Sequence, residues 1–205
     1  MSKIKLLREY NALCENGICD ITLLNEAEQA MQRNGRIILT GVLQRADTEN
    51  GNGRIYSKRI LEREDRNFQK LIRENRALGE IDHPDDSVVN LKNASHKVLR
   101  TFWKGPELWG TIQVLSTPSG KILEALINDG VQLGISSRGL GSVDESGSSI
   151  IVQEDFALIA YDMVSDPSTP GAFMMKESKM PIREALSRAD RINRLLTNIV
   201  ETRNG

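Results

Sequence analysis

The residues of this chain with chemistry to offer are two adjacent hydroxyls, one rigidly mounted imidazole and one carboxylate inside an apolar run. Ser136 and Ser137 lie in Gly134-Ile135-Ser136-Ser137-Arg138-Gly139-Leu140-Gly141. Glycines there allow close backbone approach and unusual φ, and a serine among them can turn its Oγ and neighbouring N–H groups toward a reacting carbonyl. His83 follows Gly79-Glu80-Ile81-Asp82 and precedes Pro84, a strand end fixed by proline and suited to a general base near neutral pH. Asp162 sits in Leu158-Ile159-Ala160-Tyr161-Asp162-Met163-Val164, where a buried charge needs a partner. Joined, the three groups would carry acyl transfer: serine as nucleophile, histidine as base, aspartate orienting the ring. Read apart, they are a solvent loop, a surface histidine among carboxylates and a structural hydrogen bond. Spacing alone leaves both readings open.

Other chemistries find less support. His96, in Asn93-Ala94-Ser95-His96-Lys97, is the second of two histidines and is expected to be structural. Asp82, His83, Asp85 and Asp86 do not fit a calcium loop, which needs a glycine sixth and a glutamate twelfth, and one histidine is thin for zinc. No metal and no cofactor are expected. Cys14 and Cys19 form neither a disulfide framework nor a zinc site. A cysteine peptidase built on either would need an early segment to reach His83.

The positioning elements follow from periodicity. Residues 1–12 read as a short amphipathic helix, and residues 36–45 as a strand. A helix is expected over 57–76, capped by Ser57, with Ile60, Leu61, Phe68, Leu71 and Ile72 on one side. Residues 77–83 form a short strand. Lys97–Trp103 and Glu107–Leu115 form a hairpin across Lys104-Gly105-Pro106. A helix over 120–129 leads into the serine segment, read as a loop, and Phe156–Val164 is the last clear strand. Pro181 opens an amphipathic helix to 202, a detachable tail or partner helix. The class is α+β, with an N-terminal segment at 1–35, a main domain at 36–178 and a tail at 179–205.

Twenty-seven basic and 28 acidic residues leave a net charge of −1, and aromatics are 4%, so no nucleic-acid partner is expected. No apolar run approaches the roughly 18 residues that span a bilayer, and charges interrupt the N-terminus at once. A soluble intracellular protein is expected, with no membrane partner.

Four motifs taken together carry a resemblance: Asn52-Gly53-Arg54-Ile55-Tyr56, Gly79–Pro84, Gly134–Gly139 and Tyr161-Asp162-Met163-Val164-Ser165-Asp166-Pro167-Ser168. In this order they resemble the prohead core proteases of T-even-type tailed phages, relatives of the herpesvirus assembly proteases, over about residues 36 to 175. The resemblance implies a small, mostly antiparallel β-barrel ringed by helices. It implies a serine endopeptidase inside the prohead, in the host cytoplasm, that digests phage scaffold and core proteins and trims capsid proteins. Carried over, His83 is the base, Ser136 the nucleophile after the Gly134-Ile135 pair, and Asp162 the third member, with Ser137 the competing nucleophile. Backbone N–H groups of Ser137, Arg138 and Gly139 would form an oxyanion hole in that loop.

The resemblance further implies cleavage after glutamate in a Leu/Ile-x-Glu context, with Arg54 and Arg138 as candidate partners for the glutamate. It also implies self-association. Leu7-Arg8-Glu9, Leu24-Asn25-Glu26 and Ile199-Val200-Glu201 are triplets of that kind, so self-trimming at the ends is expected, with the 181–202 helix docking the enzyme to scaffold. The rival reading is a non-catalytic scaffold or assembly component with the same fold.

Overall fold

The computed structural model describes residues 5–8, 28, 31, 34–84, 86–147, 149–169, 171, 172 and 174–176. Among them are eleven strands and two helices. In chain order these are β1 (Lys5–Arg8), β2 (Ile38–Arg45), β3 (Arg54–Ile55), α1 (Lys58–Arg73), β4 (Leu78–Glu80) and β5 (Ala94–Lys104). There follow β6 (Glu107–Val114), α2 (Pro118–Asn128), β7 (Gly134–Gly141), β8 (Val143–Asp144), β9 (Ile150–Val152), β10 (Ala157–Val164) and β11 (Met175–Lys176). The strands form three sheets, ordered β1-β7-β10, β11-β2-β6-β5-β4 and β3-β9-β8, almost all antiparallel. Among the described residues no sheet closes on itself, so the expected barrel is replaced by open sheets. The first two are stitched where Ile81 bridges Met163 in parallel and the Asp82 N–H donates to the Met163 carbonyl at 2.8 Å.

The long hairpin arises as expected. Phe102 faces Trp109 and Trp103 faces Leu108 across β5 and β6, and Gly105 takes φ 59° in the connecting turn. Leu39, Leu108, Ile112 and Val114 bury the inner face of this sheet against Ile135, Tyr161 and Met163 of β7 and β10. Each such side chain contributes roughly 1.5–3 kcal/mol when taken fully out of water. Helix α1 adds Phe68, packed edge-on against Tyr161 with ring centroids 5.3 Å apart. Ser57 caps this helix by accepting the Ile60 N–H at 3.3 Å. Its apolar stripe also carries Glu64, which is buried because its Oε2 accepts the Leu158 N–H at 2.9 Å, beside the bulge between Leu158 and Ala160. A bulge leaves a ladder donor unpaired, and the carboxylate takes it.

Three local expectations give way to tertiary pairing. Within the helix read over 1–12, residues 5–8 are a strand, with Lys5 opposite Gly141 and Arg8 opposite Arg138. Two leucines between charges fit either period, and the edge of β7 offers four residues of backbone pairing that an isolated short helix lacks. The serine segment is no loop: it is β7, the central strand of its sheet, flanked by β1 and β10. Its glycines serve close approach. A Cβ on Gly134 would come within 2.4 Å of the Pro167 ring, and one on Gly139 within 2.4 Å of the Phe156 ring. Nor is β10 the last strand, since β11 pairs with the edge of β2. The helix expected over 181–202 lies outside the described residues.

Candidate active site

His83 is positioned by the way β4 ends. After Glu80 the chain bridges to β10 at Ile81, and Asp82 adopts the left-handed region at φ 58°, a conformation aspartate tolerates better than most residues. That turn brings the His83 ring over Asp162, with Nδ1 2.9 Å from Oδ2 and both side chains fully buried. Beside a carboxylate the Nδ1–H donates, which leaves Nε2 as the basic nitrogen of the neutral ring.

Asp162 is the hub. Its Oδ2 also accepts Arg138 Nε at 2.7 Å, and its Oδ1 accepts Arg138 Nη2 at 3.2 Å and the Glu80 N–H at 3.0 Å. Burial pushes the carboxyl toward protonation. The bonds from His83, Arg138 and the Glu80 N–H outweigh it and hold Asp162 below the ordinary carboxylate range. Arg138, buried to 0% exposure, is likewise disfavoured as a cation by burial, yet its bonds to Asp162 and Glu80 raise its pKa above the usual value. Its remaining donors go to Glu80 Oε1 at 2.9 Å and the Asp86 carbonyl at 2.6 Å. This guanidinium is committed inside the protein, so Arg138 does not fit the expected role of receiving a substrate glutamate. Arg54, the other candidate, belongs to β3 in the third sheet, opposite Ile150.

The register of β7 on β10 separates the two hydroxyls. Ser136 stands directly opposite Asp162, and directly opposed residues project to the same face. Arg138, two residues on, shares that face. Ser136, Arg138, Asp162 and the His83 ring are therefore gathered on one side of the sheet. Ser137 stands opposite Tyr161 and points the other way, where its Oγ accepts Gln44 Nε2 at 2.7 Å in the interior. Gly139 lies farther along β7, opposite Leu158 and Leu7. The three residues assigned to an oxyanion loop are thus all within β7. Cys14 and Cys19 lie outside the described residues.

His96 is structural in its geometry. Its Nδ1 accepts the Ser95 hydroxyl and its Nε2–H donates to the Tyr161 carbonyl, both at 2.9 Å, tying β5 to β10 behind the site. Gly79 makes room for it, since a Cβ there would lie 2.0 Å from that carbonyl oxygen and 2.4 Å from His96 Nε2. Burial drives the His96 pKa down to about 4 from 6.5. The unfolded chain therefore binds this proton below 6.5 while the folded chain refuses it down to about 4. The stabilisation is complete above 6.5 and is lost as pH falls through that window, by roughly 3 kcal/mol in all. Urea midpoints measured from pH 7 to pH 4.5 should fall steeply for the native chain and more shallowly for His96→Gln. Equal slopes would contradict this assignment.

Two features were not foreseen from sequence. Nothing in the run around Glu80 marks its side chain as part of the site, and the glycines of the serine segment mask its strand form. The alternation Ser136, Arg138 against Ser137, Gly139 carried a signal: a period-two reading places the first pair on one face.

An imidazole buried on a carboxylate, with a serine across the strand pair on the same face, offers the residue types that acyl transfer requires. Known proteins place the chain among phage prohead proteases. The profile of the prohead core protein serine protease family matches residues 12–181. The prohead core protein protease of Enterobacteria phage T4 is 34% identical over 143 residues, covering 67% of this chain and 68% of that protein. The solved structure of the bacteriophage T4 capsid assembly protease matches with a TM-score of 0.65 at 28% identity, covering 80% of this chain and 99% of that one. The chain belongs to the prohead core protein serine protease family.

Proposed function

We propose that this protein is the serine endopeptidase of phage capsid maturation, acting inside the prohead on scaffold and capsid proteins with Ser136, His83 and Asp162 as its working residues. The observation that carries the reading is the buried His83–Asp162 bond, with Ser136 in register opposite Asp162. In the reaction Ser136 Oγ attacks the scissile carbonyl while His83 Nε2 takes its proton. The imidazolium, stabilised by Asp162, returns that proton to the leaving amine. Water, deprotonated by the same ring, then releases the acid from the acyl-enzyme. Cleavage falls after glutamate in Leu/Ile-x-Glu segments, in the host cytoplasm, by a self-associating enzyme whose open sheets are related to those of herpesvirus assembly proteases.

Self-trimming belongs to the same reading. Arg8 of Leu7-Arg8-Glu9 stands opposite Arg138, two residues from Ser136 along β7. Ser136 is buried to 0% exposure, and β1 occupies the edge of β7 along which an extended substrate would pair. Loss of the segment through Glu9 frees that edge. The test is mass spectrometry of the full chain held at high concentration, beside a Leu-x-Glu peptide assay. The expected result is a new N-terminus at Tyr10 that accumulates with peptide cleavage. Active protein with an intact N-terminus would remove the trimming claim, and protein that cleaves no such peptide would remove the specificity.

A further inference from the structure

We propose that Glu80 and Arg138 are a charge-balancing pair of positioning residues, which fix the buried cluster at one net negative charge, matched to the one imidazolium formed in catalysis. The proposal deepens the serine-protease reading and rests on it. Arg138 Nε bonds the same Asp162 oxygen that His83 Nδ1 bonds, at 2.7 and 2.9 Å. A guanidinium on that oxygen, acting alone, cancels the carboxylate and leaves a protonated His83 uncompensated in a buried site. Glu80, also at 0% exposure, restores the balance by pairing with Arg138 Nη2 at 2.9 Å. Two carboxylates against one guanidinium leave one negative charge when the imidazole is neutral and none when it is protonated.

The pair also holds geometry. Arg138 Nη1 donates to the Asp86 carbonyl at 2.6 Å, and Glu80 Oε1 accepts the Asn90 N–H at 3.0 Å. Both ties fall in the segment that follows His83. The Glu80 N–H meanwhile holds Asp162 Oδ1 at 3.0 Å. One ion pair thus anchors the carboxylate and the chain beyond the base. Among the described residues, the other titratable groups near His83 are Asp82 and Asp86 on its own segment, and His96 of β5 behind the Tyr161 carbonyl. His96 is kept neutral by burial and adds no charge at working pH.

Profiles of kcat/KM against pH for Glu80→Gln, Arg138→Gln and the double variant, on a Leu-x-Glu peptide, test the pair. Glu80→Gln should move the acidic limb roughly one pH unit lower, and Arg138→Gln roughly one unit higher. The double variant, again with one negative charge, should return the limb close to its native position while kcat stays more than roughly tenfold down. A structural role would lower kcat without opposed shifts or restoration. Limbs that stay in place, as when Glu80 carries a proton, or that move in one direction, overturn the proposal. If Glu80→Gln does not fold, Arg138→Lys decides: it should keep the limb in place while lowering kcat, and a shift equal to that of Arg138→Gln would overturn the proposal. A native enzyme without activity would sink the protease reading instead. NMR titration of His83 in the Ser136→Ala background then reads the pair directly, with the same opposed displacements expected and none of them overturning it.

Discussion

Ser136→Ala will fold normally and lose cleavage of scaffold protein and Leu-x-Glu peptide by roughly 10⁴-fold or more, since removing a triad nucleophile removes the covalent path and leaves only binding and electrostatic assistance. Stability should change little, because alanine fills most of the serine volume at a strand position already held by β10 on one side. Ser137→Ala should behave in the opposite sense. It strips the acceptor of the buried Gln44 amide, so it should cost about 1–3 kcal/mol of stability and retain the greater part of kcat. Kinetics and urea unfolding of the two variants side by side check both halves. Loss of activity in Ser137→Ala with retention in Ser136→Ala would reverse the assignment. Equal activity in wild type and Ser136→Ala would favour a non-catalytic assembly component.

The second large effect is at Asp162. Asp162→Asn keeps the shape but removes the charge that holds the His83 Nδ1–H, and an amide nitrogen turned toward the ring selects the wrong tautomer. A drop of roughly 10⁴ in kcat is expected near neutral pH. The same change removes the charge that accepts two Arg138 bonds in a buried site and leaves the guanidinium paired with Glu80, which should cost about 1–3 kcal/mol. Asp162→Asn should therefore lose both activity and thermal stability, whereas Ser136→Ala loses activity alone. A variant at Asp162 with near-native kcat would show that His83 does not work through it.

Much of the site could be read from residue types. His83 before a proline and Asp162 in an apolar strand were two polar groups in need of a relationship, and the fold supplies the bond between them. Burial arguments named Asp162 because an unpaired carboxylate among Tyr161 and Met163 is too costly to stand alone. Glu80 escaped the same argument. It sits in a three-residue strand between Gly79 and Ile81, too short for a period to reveal that both faces are covered.

Context also decided the elements that sequence misread. Gly134, Gly139 and Gly141 signal a loop when read locally. Here they are small because Pro167 and Phe156 lie on them, contacts that only the folded sheet creates. Lys5–Arg8 carries two leucines, enough for a helix turn or a strand, and pairing with β7 decides between them. Conversely, Ser57 and the stripe of α1, and the turn at Lys104-Gly105-Pro106, were readable because cap, period and turn chemistry are all local.

The relay is tested most directly by mapping the adduct of a fluorophosphonate, which phosphonylates only a serine activated by its own base. Peptide mass spectrometry of the labelled, active protein should find the adduct on Ser136, and labelling should vanish in His83→Ala. An adduct on Ser137, or one that forms equally without His83, would contradict the account.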